Sequence, residues 1–165
     1  MDFNNKKSLE ENGFQGFKKV KDLWVSRDDI PKRMGVYLVL NPKFKTPSFI
    51  SPGVGGHFKG KDPNVSTEVL MQNHVSGAQV VYIGKAGGNT NNATLHSRLG
   101  QYLRFGQEKA VGHWGGRYVW QLKNHRDLVF CWRPDSNLEP RTLESFFIMQ
   151  FETQFGKRPF ANLTG

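Results

Sequence analysis

Apolar positions along this chain change period several times, and each change marks an element. Gly35 to Leu40 is a short apolar run rich in β-branched and aromatic residues, which predicts a strand. Gln79 to Lys85 predicts a second, with Gly87-Gly88-Asn89 as a flexible exit. Thr94 stands where a helix cap belongs. Leu95, Leu99, Tyr102 and Leu103 then keep the i, i+4, i+7, i+8 spacing of a one-sided helix, and Gly106 ends it. The 107–116 segment is glycine-bearing loop. Arg117 to Leu122 and Leu128 to Trp132 read as two further strands around a turn, although the first is compatible with helix. A last helix begins near Pro140, a residue favoured in a first turn, and stops at Gly156.

Elsewhere the pattern is weaker. Residues 1–12 read as a polar, flexible terminus. From Phe14 to Trp24 apolar residues recur at mixed spacing, so the segment is ordered but of ambiguous type, and Ile30-Pro31 breaks the chain after it. The stretch 41–78 carries prolines and glycines that deny it long regular structure, although a short helix starting near Ser66 would carry Val69, Leu70 and Met71. So long a connection between strands is either functional or disordered. No repeat or low-complexity tract interrupts residues 13–165, which read as one domain with a long insertion at about 41–78.

Composition narrows the function. With 165 residues the chain can close one hydrophobic core, and 13 Phe with 4 Trp argue for a folded protein. A formal charge of +9 favours a polyanionic partner, nucleic acid before anionic membrane, although basic proteins are also basic for solubility alone. Lys43, Lys45, Lys59 and Lys61 put cations on the insertion, either to touch phosphates or as a solvated loop. Cys131 is the only cysteine, which excludes an internal disulfide and a cysteine zinc site, and its apolar neighbours suggest a buried core side chain. No apolar stretch reaches membrane-spanning length and the polar start lacks a signal-peptide core, so a cytoplasmic protein is expected, with no membrane partner.

A few side chains carry candidate chemistry. Glu144 has Phe147, Ile148 and Phe151 at i+3, i+4 and i+7, so its carboxylate points toward an apolar stripe. Burying such a charge is costly unless it is paired or bound to a cation, which favours Glu144 as a metal ligand or half of a buried ion pair over a first-turn acid on the solvent face. Arg98 lies at the border of its helix's buried face, with Tyr102 one turn on; it reaches a phosphate or forms a flanking salt bridge. Tyr37 and Tyr82 are ordinary strand residues taken singly, but Lys85 closely follows Tyr82. A nearby ammonium or metal-bound hydroxide would help a phenol, a poor base at neutral pH, to take a proton. Gly55 to Lys61 has phosphate-loop spacing, but Asp62 replaces the Ser or Thr that should hold magnesium, and no strand precedes it. The five histidines show no metal-ligand pairing. His113-Trp114 either meets DNA or packs.

Together these residues resemble the GIY-YIG nuclease superfamily. Gly35-Val36-Tyr37 is similar to its first motif and Tyr82-Ile83-Gly84 to its second. Leu95-His96-Ser97-Arg98-Leu99 with Tyr102 resembles its arginine helix, Leu143-Glu144 its acidic helix and Pro159-Phe160-Ala161-Asn162 its closing asparagine. The match runs in order over about residues 33–163. It departs from the family in the insertion between the two tyrosine motifs, where a short link is usual, although restriction enzymes of the superfamily have extended versions. The resemblance implies an α/β (α+β) fold, a small, mainly antiparallel central sheet flanked by helices. It implies a metal-dependent endonuclease hydrolysing DNA phosphodiester bonds, restriction-type or repair-directed, with one Mg²⁺ or Mn²⁺ on Glu144 and no small-molecule cofactor. Tyr82 is the implied general base, aided by Lys85, while Tyr37 orients water or phosphate and Arg98 stabilises the transition state. Tyr102 hydrogen-bonds the scissile phosphate and Asn162 helps fix the site. Arg104, His113 and Arg117 join the four insertion lysines as candidate nucleic-acid contacts, and a homodimer would suit palindromic cutting. The other reading is a non-catalytic nucleic-acid-binding module retaining the fold.

Overall fold

The computed structural model describes residues 1–135 and 137–163; Ser136, Thr164 and Gly165 lie outside the described residues. Four strands, β1 (Gln15–Lys19), β2 (Gly35–Leu40), β3 (Val80–Ala86) and β4 (Val129–Pro134), form one sheet in the order β1-β4-β2-β3. Each neighbouring pair is antiparallel. The helices are α1 (Lys6–Glu11), α2 (Val20–Val25), α3 (Thr67–Asn73), α4 (Leu95–Phe105) and α5 (Pro140–Phe155). The expected α+β class, an antiparallel sheet with flanking helices, is what the chain adopts.

β2 reads as an unbroken apolar run because it is central and buried on both faces. Tyr37 and Val39 join the core formed with α2 and α4, whereas Val36, Leu38 and Leu40 join the core formed with α1 and α5. Local chemistry sets the helix ends. Thr94 accepts from the Ser97 amide while the Ser97 hydroxyl accepts from the Thr94 amide, a reciprocal cap that starts α4. Pro140 occupies the first turn of α5, and Gly156, at φ 72°, ends it in the left-handed region.

Three segments differ from their sequence reading. Residues 1–12, read as a flexible terminus, contain α1 and bury Phe3 and Leu9 completely. Phe3 meets the Phe151 ring edge-on at 5.4 Å, and Gln79 Nε2 donates to the Phe3 carbonyl. The ambiguous lead-in divides into β1 and α2 at Lys19 and Val20. Arg117–Gln121 is a 3₁₀ helix and not a strand: the Val119 amide donates to the Gly116 carbonyl and the Leu122 amide to the Val119 carbonyl, the i→i+3 pattern of that helix.

The insertion is tied to that 3₁₀ helix. Buried Gln121 donates from Nε2 to the Ile50 and Val65 carbonyls and accepts from the Val65 amide through Oε1, so one side chain pins two parts of the loop. β3 is left as an edge strand, and the C-terminal segment covers it. The Ala161 amide donates to the Val81 carbonyl at 2.8 Å. Among the described residues no helix is long and apolar enough to cross a membrane.

Candidate active site

Tyr37, Tyr82, Lys85, Arg98 and Glu144 line one cleft of about 460 Å³, with Gln101 and the 87–93 loop completing its wall. Register explains the tyrosines. Tyr37 lies opposite Gly84 and Val39 opposite Tyr82, so both phenols project from the same face, with ring centres 6.0 Å apart. Gly84 makes room: a methyl built there would lie 2.4 Å from Tyr37 Cζ. Because β3 is at the edge, residues associated with both of its faces reach the same opening, Tyr82 on the α4 side and Lys85 beside α5.

Glu144 borders the buried stripe of α5, as its spacing implied, with Phe147, Ile148 and Phe151 among the buried residues of that helix. Burial raises its pKa, against the pull of Lys85, Arg141, Arg158 and Arg98. Among the described residues none pairs with this carboxylate in an ion pair or hydrogen bond. A partly buried acid with open lone pairs facing a cleft suits a divalent cation, and the buried ion pair that was its alternative is not formed there. The described residues contain no group of three or more His, Cys, Asp or Glu that could hold a metal. A hard ion that keeps most of its waters, as Mg²⁺ does, needs few protein ligands.

Arg98 is held from α4 by Nη1, which donates to Gln101 Oε1 at 3.1 Å and to the Gly112 carbonyl at 2.9 Å. Among the described residues it meets no carboxylate. With five N–H donors on a guanidinium, most remain for a phosphate.

Tyr102 sits elsewhere than expected. It is fully buried and its hydroxyl donates to the Gly116 carbonyl at 2.6 Å, so it braces the loop and does not face the cleft. Asn162 also acts through the backbone: Oδ1 accepts from the Ile83 amide and Nδ2 donates to the Ile83 carbonyl, both at 2.8 Å. This clamp sits one residue from Tyr82 and fixes the edge strand that presents it.

His113, a candidate nucleic-acid contact in the sequence, is completely buried and so cannot touch a strand. Its ring stacks on Tyr102 at 3.8 Å and its Nε2 lies 2.8 Å from Tyr37 Oη. Tyr37 and His113 thus share one hydrogen bond inside the core, and the imidazole tautomer decides which of them donates. Burial, reinforced by Arg98, holds the imidazole pKa well below its usual value, so the ring is neutral. His113 thus braces Tyr37 within the core, a contact that sequence reasoning missed. Its only signal was an isolated histidine in a glycine-rich loop.

The remaining candidates lie outside the cleft. Lys43, Lys45, Lys59 and Lys61 are exposed on the insertion, and Arg104 is exposed in the last turn of α4. Arg117 lines a neighbouring cavity. The chain matches no protein-family model, no curated protein and no solved structure with which it was compared.

Burial, then the Glu144 charge, raises Tyr82 to about 12, opposed by Arg98 and by a hydrogen bond with Tyr37. Lys85, expected to favour the phenolate, is not among these causes. At pH 7 a phenolate would cost about 7 kcal/mol, more than the roughly 3–5 kcal/mol that general-base catalysis contributes. The resting cleft therefore holds Tyr82 as a phenol. If the phenolate were nonetheless the base at this pKa, log rate would climb with unit slope from neutrality to about pH 11 without a plateau. A pH–rate profile that levels near neutrality assigns proton removal to another group.

Proposed function

We propose that this chain is a divalent-metal-dependent endonuclease acting on DNA, built on a GIY-YIG-like nuclease domain. The supporting observation is the gathering of two phenols, a lysine, an unpaired arginine and an unpaired, partly buried carboxylate in one cleft. Glu144 would hold one Mg²⁺ or Mn²⁺, which when bound supplies Lewis-acid stabilisation of phosphate and leaving-group charge. Arg98 binds the equatorial phosphate oxygens with its free guanidinium edge, and its fixed charge favours the transition state over the ground state. Lys85 adds a second cation. Tyr37, oriented by His113, and Tyr82 hold the attacking water in line, and Asn162 keeps the Tyr82 strand from shifting.

Incubating plasmid DNA with the chain and Mg²⁺ tests this reading; cleavage into nicked or linear forms supports it. Arg98→Ala should lower the cleavage rate about 10²- to 10³-fold, and lower the melting temperature only by what its two neutral hydrogen bonds contribute, since Arg98 meets no carboxylate among the described residues. The +9 formal charge equally serves a second reading, a nucleic-acid-binding module without turnover. Salt-dependent DNA retention with no cleavage over a broad pH and metal range would select it.

A further inference from the structure

Beside the cleft is a larger cavity of about 720 Å³, whose wall includes Trp114, Gly115, Arg117, Tyr118, Lys157 and Arg158. That size lies within the roughly 300–1,000 Å³ of small-molecule sites. Its described lining contains three cations and no carboxylate. Gly115 stands between the two spaces: a methyl built on it would lie 3.5 Å from Tyr82 Oη. Asn162, also in the wall, is the residue clamped to Ile83. The two spaces therefore adjoin at Gly115 and Tyr82, so a strand with a phosphate in the cleft can continue toward this cavity.

The wall's chemistry matches a nucleotide part by part. The Arg117 guanidinium lies 4.5 Å from the Trp114 ring centre and 5.2 Å from that of Tyr118. Arg117 donates from Nη1 to the Trp114 carbonyl at 3.3 Å, and Arg158 donates from Nε to the Asn162 carbonyl at 3.3 Å. Neither guanidinium meets a carboxylate among the described residues, so each keeps donors for a phosphate. Lys157 is committed to the Gln72 and His74 carbonyls and contributes charge and bracing. Planar groups recessed in a cavity can stack only on a base that has left its duplex, because a paired base hides its faces in the helical stack.

We infer that this cavity takes one unpaired nucleotide adjoining the scissile phosphate, its base against the Trp114–Arg117 pair and its phosphate on Arg117 and Arg158. The inference rests on the nuclease reading and deepens it: the substrate is DNA with a single-stranded segment beside the cut, as at a flap, bulge or junction.

Binding without metal separates this from catalysis. The full chain in EDTA is titrated into a short fluorescein-labelled single strand and into the blunt duplex of the same sequence, with anisotropy as readout. Trp114→Leu and Arg117→Gln should each weaken single-strand binding about tenfold, the scale of one lost base stack, and leave duplex binding within about twofold. Because Trp114 also packs on the core, Arg117→Gln and Arg158→Gln carry the test if Trp114→Leu melts early. Equal losses on both probes, or no loss on either, overturn the subsite. Selective single-strand losses without cleavage of any substrate uphold it while removing the nuclease reading. Duplex cleavage indifferent to these substitutions does the reverse.

Discussion

Glu144→Gln should slow metal-dependent DNA cleavage about a thousandfold while leaving the fold as stable as before or more so. The loss corresponds to about 4 kcal/mol of transition-state stabilisation, within the several kcal/mol that a Lewis-acid ion contributes at a phosphate. The stability half follows from the pKa direction. Burial raises the Glu144 pKa above its usual value despite four nearby cations, so the folded state disfavours the ionised form. That penalty is absent below the unfolded pKa, about 4.3, and develops as pH rises through the folded value. Glutamine keeps the shape and removes the charge. The variant's melting temperature should equal or exceed the native one at neutral pH, with the difference closing toward about pH 4. Plasmid cleavage and thermal melts at both pH values check this. Cleavage that survives the substitution removes the metal role, and a melting temperature several degrees lower would make the carboxylate structural.

Gly84→Ala should damage both stability and chemistry from a position with no functional group. Tyr37 is the cross-strand partner of Gly84, and the added methyl would lie 2.4 Å from its Cζ and 2.6 Å from its Oη. Tyr37 is completely buried, with Tyr82, Tyr102 and His113 around it, so its ring cannot swing aside freely. Overpacking of this kind costs about 1–3 kcal/mol. The displaced hydroxyl would also leave His113 and Tyr82, and a shift near 1 Å in a positioning group can cost about a hundredfold in rate. Gly112→Ala is the control, since a methyl there meets only the Phe58 ring, at 3.7 Å, and the carbonyl that holds Arg98 is kept. If Gly84→Ala melts and cuts like the native chain, the glycine is not the spacer that seats Tyr37.

The elements legible in the sequence were those whose signals are local. α4 and α5 carry their own caps, Thr94 with Ser97 and Pro140 with Gly156, and their apolar positions repeat at helical spacing. β1 was illegible because its alternation is interrupted. The register shifts between Gln15 and Lys18, Phe17 takes φ 53°, and Gly16 lies so close to Trp132 that a methyl would be 2.5 Å from its ring. The segment 117–121 misled in the opposite sense, since alternating Tyr118, Trp120 and Leu122 suggests a strand, whereas the Gln121 side chain between them is taken up by the insertion's Ile50 and Val65 backbone. Phe3 and Leu9 looked incidental in a polar terminus because their partners lie far along the chain.

The candidate site divides along the same line. Helix spacing nominated Glu144 and Arg98 by the face each occupies, whereas Tyr37, Tyr82 and Lys85 were nominated by their company and by the resemblance their motifs carry. Three-dimensional packing alone decided that the Tyr102 hydroxyl and the Asn162 amide bond to backbone groups, that His113 meets Tyr37, and that Arg117 lines a second cavity. Each of those outcomes depends on a carbonyl, an amide or a ring brought from a distant segment, and no local spacing encodes such a meeting. Protonation belongs with them, since Tyr82 owes its high pKa to burial and to the charge of Glu144, 62 positions away in the sequence.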